Sequence, residues 1–228
     1  MGKIFCILYY KLTFYGIILN YGLVIYLLSL EGECIMLSKP SDYIDVGFKL
    51  ELEEGLKNLF NSTAIIKMVP KGTIILRQGE MPTSLYYIHK GIVRGYYIDD
   101  AGNDVTKCFA CEIEFACAEG LLRSGESSFS IESLEDCICV IIPYDSIKQG
   151  MKKSNQMKVI FDNYIKKILV NTLNREKALL IKNALDRYIE FTKEHSSLES
   201  RINQAYIASY IGVRASSLSR IKRGMKIE

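Results

Sequence analysis

The stretch QAYIASYIGVRASSLSRIKRG, residues 204–224, gathers arginines and short hydroxyls close to the end of a 228-residue chain. On a helix, Arg214, Ala215, Ser216, Ser217, Ser219, Arg220 and Arg223 share an outer face. Side chains of these types reach phosphates and base edges when a helix lies in the major groove of DNA. Arg220 is the strongest candidate base reader, with Ser216 and Ser217 next and Ser219 beside them. Arg214, Lys222 and Arg223 are better placed for phosphates. Residues 201–228 carry six Lys or Arg against Glu228 as the single acid, while the whole chain is only +3, so positive charge is concentrated here. A packed helical hairpin with a solvated basic face is the plainer alternative.

Such a reader needs elements that hold it. Ile207, Ala208 and Ile211 repeat at helical spacing, Gly212 breaks the run, and Val213, Leu218 and Ile221 supply a second apolar set. Two short helices meeting at a tight turn are predicted, with Ala208 small enough for a close crossing and Gly212 free to take positive φ. Upstream, SSLES at 196–200 reads as a linker after a helix from Ala178 to Thr192. Before that, Met157, Ile160, Phe161, Tyr164, Ile165, Ile168, Leu169 and Thr172 recur at three- and four-residue steps, predicting a long amphipathic helix from Asn155. Its apolar stripe is wider than one neighbour needs. Met157, Phe161, Tyr164 and Ile168 are therefore expected to form a homodimer seam, since two readers must sit one helical turn apart on a two-fold site. The alternative is that the stripe packs only within the chain.

From 66 to 142 the pattern is different: Ile74–Arg77, Leu85–His89, Ile92–Ile98, Asp104–Phe109, Phe129–Ile131 and Cys137–Ile142 are β-branched or aromatic runs cut by glycine-containing turns. Many short strands of this kind predict an antiparallel barrel, sandwich or roll enclosing a pocket. With 49 % hydrophobic and 24 % charged residues the chain can build one or two cores, which excludes a disordered polymer. Seven cysteines without a secreted framework fit a reducing, cytoplasmic compartment. No nucleophile with its base, carboxylate pair or metal cluster has recognisable catalytic spacing, so an enzyme is not expected. Leu12–Leu30 carries no charge over 19 residues, the length of a membrane helix. Glycines, Asn20 and several tyrosines dilute it, and flanking charges would place the remainder outside. Three readings of residues 1–35 stay open: an over-extended start with Met36 the working initiator, a membrane anchor, or an interfacial helix.

The order of roll, long helix and helix-turn-helix resembles the Crp/Fnr superfamily of bacterial transcription regulators. VPKGTIILRQGEMPTSLYYIHKGIVRGYY, residues 69–97, is similar to the first half of its cyclic-nucleotide-binding-type roll, and QAYIASYIGVRASSLSRIKR is similar to its DNA reader. The resemblance covers roughly residues 45–226. It implies an α+β chain with a β-roll sensor at 45–150, a dimerisation helix at 151–176 and a DNA-binding domain at 177–228. It further implies double-stranded DNA and a second copy as partners, with RNA polymerase downstream of an activator. A membrane-tethered ligand sensor whose helical tail binds protein is the competing class.

The departures matter as much. Members that bind cyclic AMP carry a Gly-Glu pair and, ten residues on, Arg-Ser or Arg-Thr, because a cyclic phosphate needs a cation and a ribose hydroxyl a carboxylate. Aligning FACAEGLLRSGESSFSIES, residues 115–133, puts Cys117 and Ala118 at the first pair and Ser128 and Phe129 at the second. Both charged anchors are missing, so the roll is expected to sense another small molecule or none, with Glu119 and Arg123 as nearby polar candidates. Cys108, Cys111 and Cys117 follow C-x2-C-x5-C spacing, and oxygen-sensing members hold an iron–sulfur cluster on similarly spaced thiolates. Theirs lie mainly in an N-terminal segment, and a strand at 104–111 would point Cys108 and Cys111 to opposite faces, so no cofactor is expected. The recognition helix has Ala215 and Ser216 where relatives carry Arg-Glu or Pro-Glu. Its preferred half-site should differ from theirs accordingly.

Overall fold

The computed structural model describes residues 37–225. The apolar stretch at 12–30, the three readings of residues 1–35 and the last basic residue, Lys226, lie outside the described residues. Among those described, no helix is long and apolar enough to cross a membrane.

Two short helices open the described chain. α1 (Pro40–Phe48) starts on a proline whose fixed φ suits a first turn, and stops where Lys49 turns left-handed at φ 51°. α2 (Glu54–Thr63) buries Leu56 and Phe60, four residues apart on one face. Eight strands follow in two antiparallel four-stranded sheets. One sheet, ordered β1-β8-β3-β6, contains β1 (Ile65–Val69), β3 (Ser84–Lys90), β6 (Glu114–Ala116) and β8 (Cys137–Pro143). The other, ordered β2-β7-β4-β5, contains β2 (Ile74–Leu76), β4 (Val93–Ile98), β5 (Asp104–Ala110) and β7 (Ser130–Ser133). The antiparallel roll predicted from the strand-like runs is therefore present. β1 and β6 were not foreseen: β1 exposes Ile65 and Met68, and β6 is only three residues long.

β8 shows how the roll is held. Cys137 and Cys139 face the other sheet with Val69, Ile88, Val93, Phe129 and Ile131, while Ile138, Val140 and Ile142 face α1 and α2 with Tyr43, Leu56 and Phe60. A strand covered on both faces reads as a continuous apolar run, as CICVII does.

After the roll come α4 (Tyr144–Lys153) and α5 (Asn155–Ile181), with α3 (Glu119–Leu122) inside the roll. Ser154 starts α5 by accepting a hydrogen bond from the Met157 N–H at 3.2 Å, and its hydroxyl donates to Glu53 at 2.7 Å. α5 continues to Ile181, past the expected end at 176, and α6 (Ala184–Glu194) starts later than the Ala178 expected. Asn183 sets that break, its side chain accepting from the Asp186 N–H at 2.9 Å. A side-chain cap overrides the apolar period that runs through both helices. α7 (Gln204–Tyr210) and α8 (Ala215–Met225) complete the described chain.

The C-terminal helices share a core with the roll. Tyr188, Phe191, Leu198, Ile202, Ile207, Ala208, Ile211 and Leu218 close around Ile92, with Phe109 and Leu134 packed against them. Leu198 lies in the stretch read as a linker, yet it is 1 % exposed.

Candidate nucleic-acid interface and effector cavity

α7 and α8 meet as the sequence predicts. Gly212 has φ 71°, and the Val213 N–H reaches back to the Ala208 carbonyl at 2.9 Å, closing α7 in a Schellman-type turn. Ile207, Ala208, Ile211 and Leu218 bury the inner faces, which turns the polar side of α8 outward. Arg214, Ser216, Ser219, Arg220 and Arg223 are exposed there. None of the three arginines has a carboxylate within ion-pair distance among the described residues, so their charge is available to an external anion. Ser217 is half-buried, 3.5 Å from an Arg220 nitrogen. Lys222 is placed differently from its expected phosphate role. Its amine turns inward to Glu199 at 2.8 Å and Gln204 at 2.9 Å, tying α8 to the start of α7.

This reader is clamped to the roll by groups with no motif in the sequence. Arg94 on β4 is 1 % exposed and meets both Asp104 oxygens at 2.9 and 3.0 Å and Glu132 at 2.9 Å. Its guanidinium lies between the Tyr96 ring at 4.5 Å and the Tyr206 ring of α7 at 3.8 Å. Burial alone would disfavour the Arg94 charge, but Asp104 and Glu132 outweigh it. Arg201 bridges Glu112 and Glu135 of the roll, and the Ser209 hydroxyl accepts from the Thr106 N–H at 2.8 Å. Burial pushes the Glu112 carboxyl up, yet Arg201 and backbone N–H groups hold it below the usual carboxylate range. The one available signal was Arg94 itself, a charge amid the apolar strand IVRGYY.

Between the roll, α5 and α7 lies a cavity of about 980 Å³. Three of the four effector candidates, Glu119, Arg123 and Phe129, line it, whereas Ser128 does not. Ser128 instead donates to Glu119 from its hydroxyl at 2.7 Å and its N–H at 3.1 Å, and the Ser127 hydroxyl and Arg123 complete the carboxylate's partners at 3.3 and 2.8 Å. Burial raises the Glu119 carboxyl, but the Ser128 hydroxyl and N–H, with the charges of Lys107 and Arg123, outweigh it and hold it below the usual range. Cys117 stands where cyclic-nucleotide binders have glycine and still adopts φ 66°. The backbone bend is thus kept at a steric cost of ~1–2 kcal/mol, while the charged anchors are gone.

The seam residues face the roll. Met157 is 4 % exposed, Phe161, Tyr164 and Ile168 pack on the same core, and the Tyr164 hydroxyl donates to the Phe115 carbonyl at 2.9 Å. Within the single chain, the first half of α5 turns that stripe toward the roll, burying Met157 and leaving Phe161, Tyr164 and Ile168 half-buried. The large apolar residues that α5 as a whole leaves to solvent are Val159, Leu169, Val170, Leu173, Leu179, Leu180 and Ile181.

The three candidate cluster cysteines do not converge, and among the described residues no group of three His, Cys, Asp or Glu could hold a metal. Cys108 and Cys117 line the cavity, while the Cys111 thiol donates to Glu114 at 3.6 Å. Burial, then Glu114, pushes the Cys111 thiol up to about 12, and burial also raises Cys108 and Cys117, which favours protonated thiols over thiolate ligands.

Residues 66–154 match the family model for the cyclic nucleotide-binding domain. An anaerobic regulatory protein of Aggregatibacter actinomycetemcomitans is 25 % identical over 189 residues, covering 77 % of this chain and 72 % of that protein. Among solved structures, a transcriptional regulator assigned to the Crp/Fnr family from Eubacterium rectale superposes with a TM-score of 0.65 at 23 % identity, covering 82 % of this chain and 88 % of the other. FixK2 from Bradyrhizobium japonicum superposes with a TM-score of 0.65 at 17 % identity, covering 72 % of this chain and 85 % of its own.

Proposed function

We propose that this chain, whose roll matches the cyclic nucleotide-binding domain over residues 66–154, works as a homodimeric, DNA-binding transcriptional regulator of the Crp/Fnr type whose roll does not read cyclic AMP. The observation that carries the reading is the outer face of α8. It presents Arg214, Ser216, Ser219, Arg220 and Arg223 to solvent without carboxylate partners among the described residues, on a helical pair closed by Gly212. Arg220 and Ser216 take base edges, and Arg214 and Arg223 take phosphates. Lys222 supports the geometry of the pair from inside.

A second copy is proposed to cover the outward side of α5. Val159, Val170, Leu173 and Leu180 fall on one face at coiled-coil steps and are exposed in the single chain. Pairing along them sets two α8 helices against successive major grooves, about 34 Å apart. RNA polymerase is the further partner at promoters where the protein activates. Against cyclic AMP stands the state of Glu119, which already accepts from the Ser128 hydroxyl and N–H and from Arg123, so a ribose hydroxyl would have to compete with these donors.

Genome-wide DNA capture with the full chain, followed by salt titration on the enriched site, tests this. The expected result is a two-fold site whose affinity falls by orders of magnitude between low and moderate salt, the signature of several phosphate contacts. Enrichment of no sequence, together with a flat salt response, would refute it.

A further inference from the structure

We propose that the cavity between the roll, α5 and α7 binds an amphipathic carboxylate, with Lys107 taking the anionic head and the apolar walls taking the body. This deepens the reading of the roll as an effector domain and rests on it.

Size and lining come first. About 980 Å³ matches the upper range of small-molecule sites. Phe48, Phe115, Phe129, Leu122, Ile160 and Ile168 supply a largely apolar wall. A polar ligand such as a nucleotide would lose hydration against that wall without recovering its hydrogen bonds.

Charge then selects the head. The lining holds four cations, Lys107, Arg123, Lys167 and Arg175, against two acids, Glu114 and Glu119. Lys167 is paired with Glu114 at 2.5 Å and Arg123 with Glu119 at 2.8 Å, so the excess positive charge belongs to Lys107 and Arg175. Arg175 is committed to backbone, donating to the Tyr210 carbonyl at 3.0 Å and the Thr106 carbonyl at 3.1 Å. Lys107 has no carboxylate within ion-pair distance and no hydrogen-bond acceptor among the described residues, and Glu119 feels its charge only across a longer gap. Its amine rests on the Phe129 ring at 3.9 Å and near the Tyr97 ring at 5.4 Å. A half-buried ammonium held against aromatic faces lacks a hydrogen-bonding anion, and a carboxylate at the cavity wall supplies one. A phosphate head would call for additional forked donors, and Arg123 is already spent on Glu119.

Position gives the ligand its effect. The cavity is walled by β5, by α5 and by Tyr210 of α7, and Arg175 joins all three through Thr106 and Tyr210. A bound molecule therefore touches the roll, the long helix and the DNA reader together. Its differential fit to docked and undocked readers is what would shift operator affinity.

The test is calorimetric titration of the full chain with decanoate below its micelle concentration, with 1-decanol and cyclic AMP as comparison ligands and operator binding measured on the same sample with and without added ligand. Decanoate is expected to bind about tenfold or more tighter than decanol, the worth of a charge-assisted hydrogen bond. In Lys107→Met that advantage disappears while decanol binding is unchanged, which separates loss of the head contact from loss of fold. Absent decanoate binding, an undiminished advantage in Lys107→Met, or tighter binding of cyclic AMP overturns the proposal. If operator binding persists in those cases, only the ligand class has failed; if the chain binds no operator with or without added ligand, the underlying reading has failed instead.

Discussion

If the DNA reader is held on the roll by a buried cation, Arg94 and Tyr206 must be energetically coupled although 112 positions separate them in the chain. Arg94→Met removes a guanidinium that is 1 % exposed and leaves Glu132 and Asp104 unpaired. Breaking a fully buried pair costs about 3–5 kcal/mol. Glu132 keeps 19 % and Asp104 48 % of its side-chain exposure, so water recovers part of that and ~2–4 kcal/mol remains. Tyr206→Leu keeps apolar contact but removes the ring 3.8 Å from the guanidinium. That cation–π contact, largely desolvated, is worth ~1–2 kcal/mol. In the double variant this term can be lost only once. A cycle measured by urea denaturation should therefore return a coupling of about 1 kcal/mol, with the double variant less destabilised than the sum. Amide exchange should locate the loosening in α7 for both single variants. Additivity within ~0.3 kcal/mol would refute the claim that Arg94 holds the reader.

Three further outcomes follow from the geometry. Gly91→Ala and Gly72→Ala both force alanine to positive φ, at 107° and 80°, but only at Gly91 would the new Cβ meet the Cys137 backbone at 2.9 Å and its sulfur at 2.4 Å. Gly72→Ala should cost ~1–2 kcal/mol and Gly91→Ala several kcal/mol or the fold itself, read from denaturation midpoints; equal costs would contradict the register of β8. Burial among Phe191 and Tyr210 holds His195 below its ordinary value of 6.5, with Glu194 and Glu114 opposing and Lys167 assisting. The unfolded chain then takes up the proton first, so stability is full above about pH 6.5 and falls as pH drops toward the folded value. His195→Phe should flatten that fall between about pH 7 and 5, with His89, lowered by burial in the same way, keeping the remainder. On a specific site, Arg220→Ala should cost ~1–3 kcal/mol and relax base choice. Arg223→Ala should reduce the salt slope by about one, and Lys222→Ala should lower stability while leaving the slope unchanged.

The strand runs, the helical periods and the glycine between α7 and α8 were legible because each is local: alternation, three-to-four spacing and positive φ are written within a few residues of where they act. The order of these elements carried the family resemblance, and departures within motifs pointed away from cyclic AMP. Local signals were weaker where two of them competed. Asn183 ended α5 against an apolar period that continues on both sides, and β1 and β6 were too short or too exposed to mark themselves.

Side-chain allegiance was not legible. Met157, Phe161, Tyr164 and Ile168 form a good stripe, but a stripe does not say whether its partner is a roll in the same chain or a helix in another. Lys222 carries the charge expected of a phosphate contact and points to Glu199. Arg94, Arg201, Glu112 and Glu135 are distant in the chain and form the clamp only once β4, β5 and the C-terminal helices meet. Lys107 is one lysine among many until Lys167 and Arg123 take the direct ion pairs with the neighbouring acids and leave its amine against the Phe129 ring. Local periodicity sets what each element is, because backbone conformation responds to near neighbours. Which charges are paired, which apolar faces remain open and where a cavity forms depend on long-range packing, where each group is taken by whichever partner the fold brings within reach.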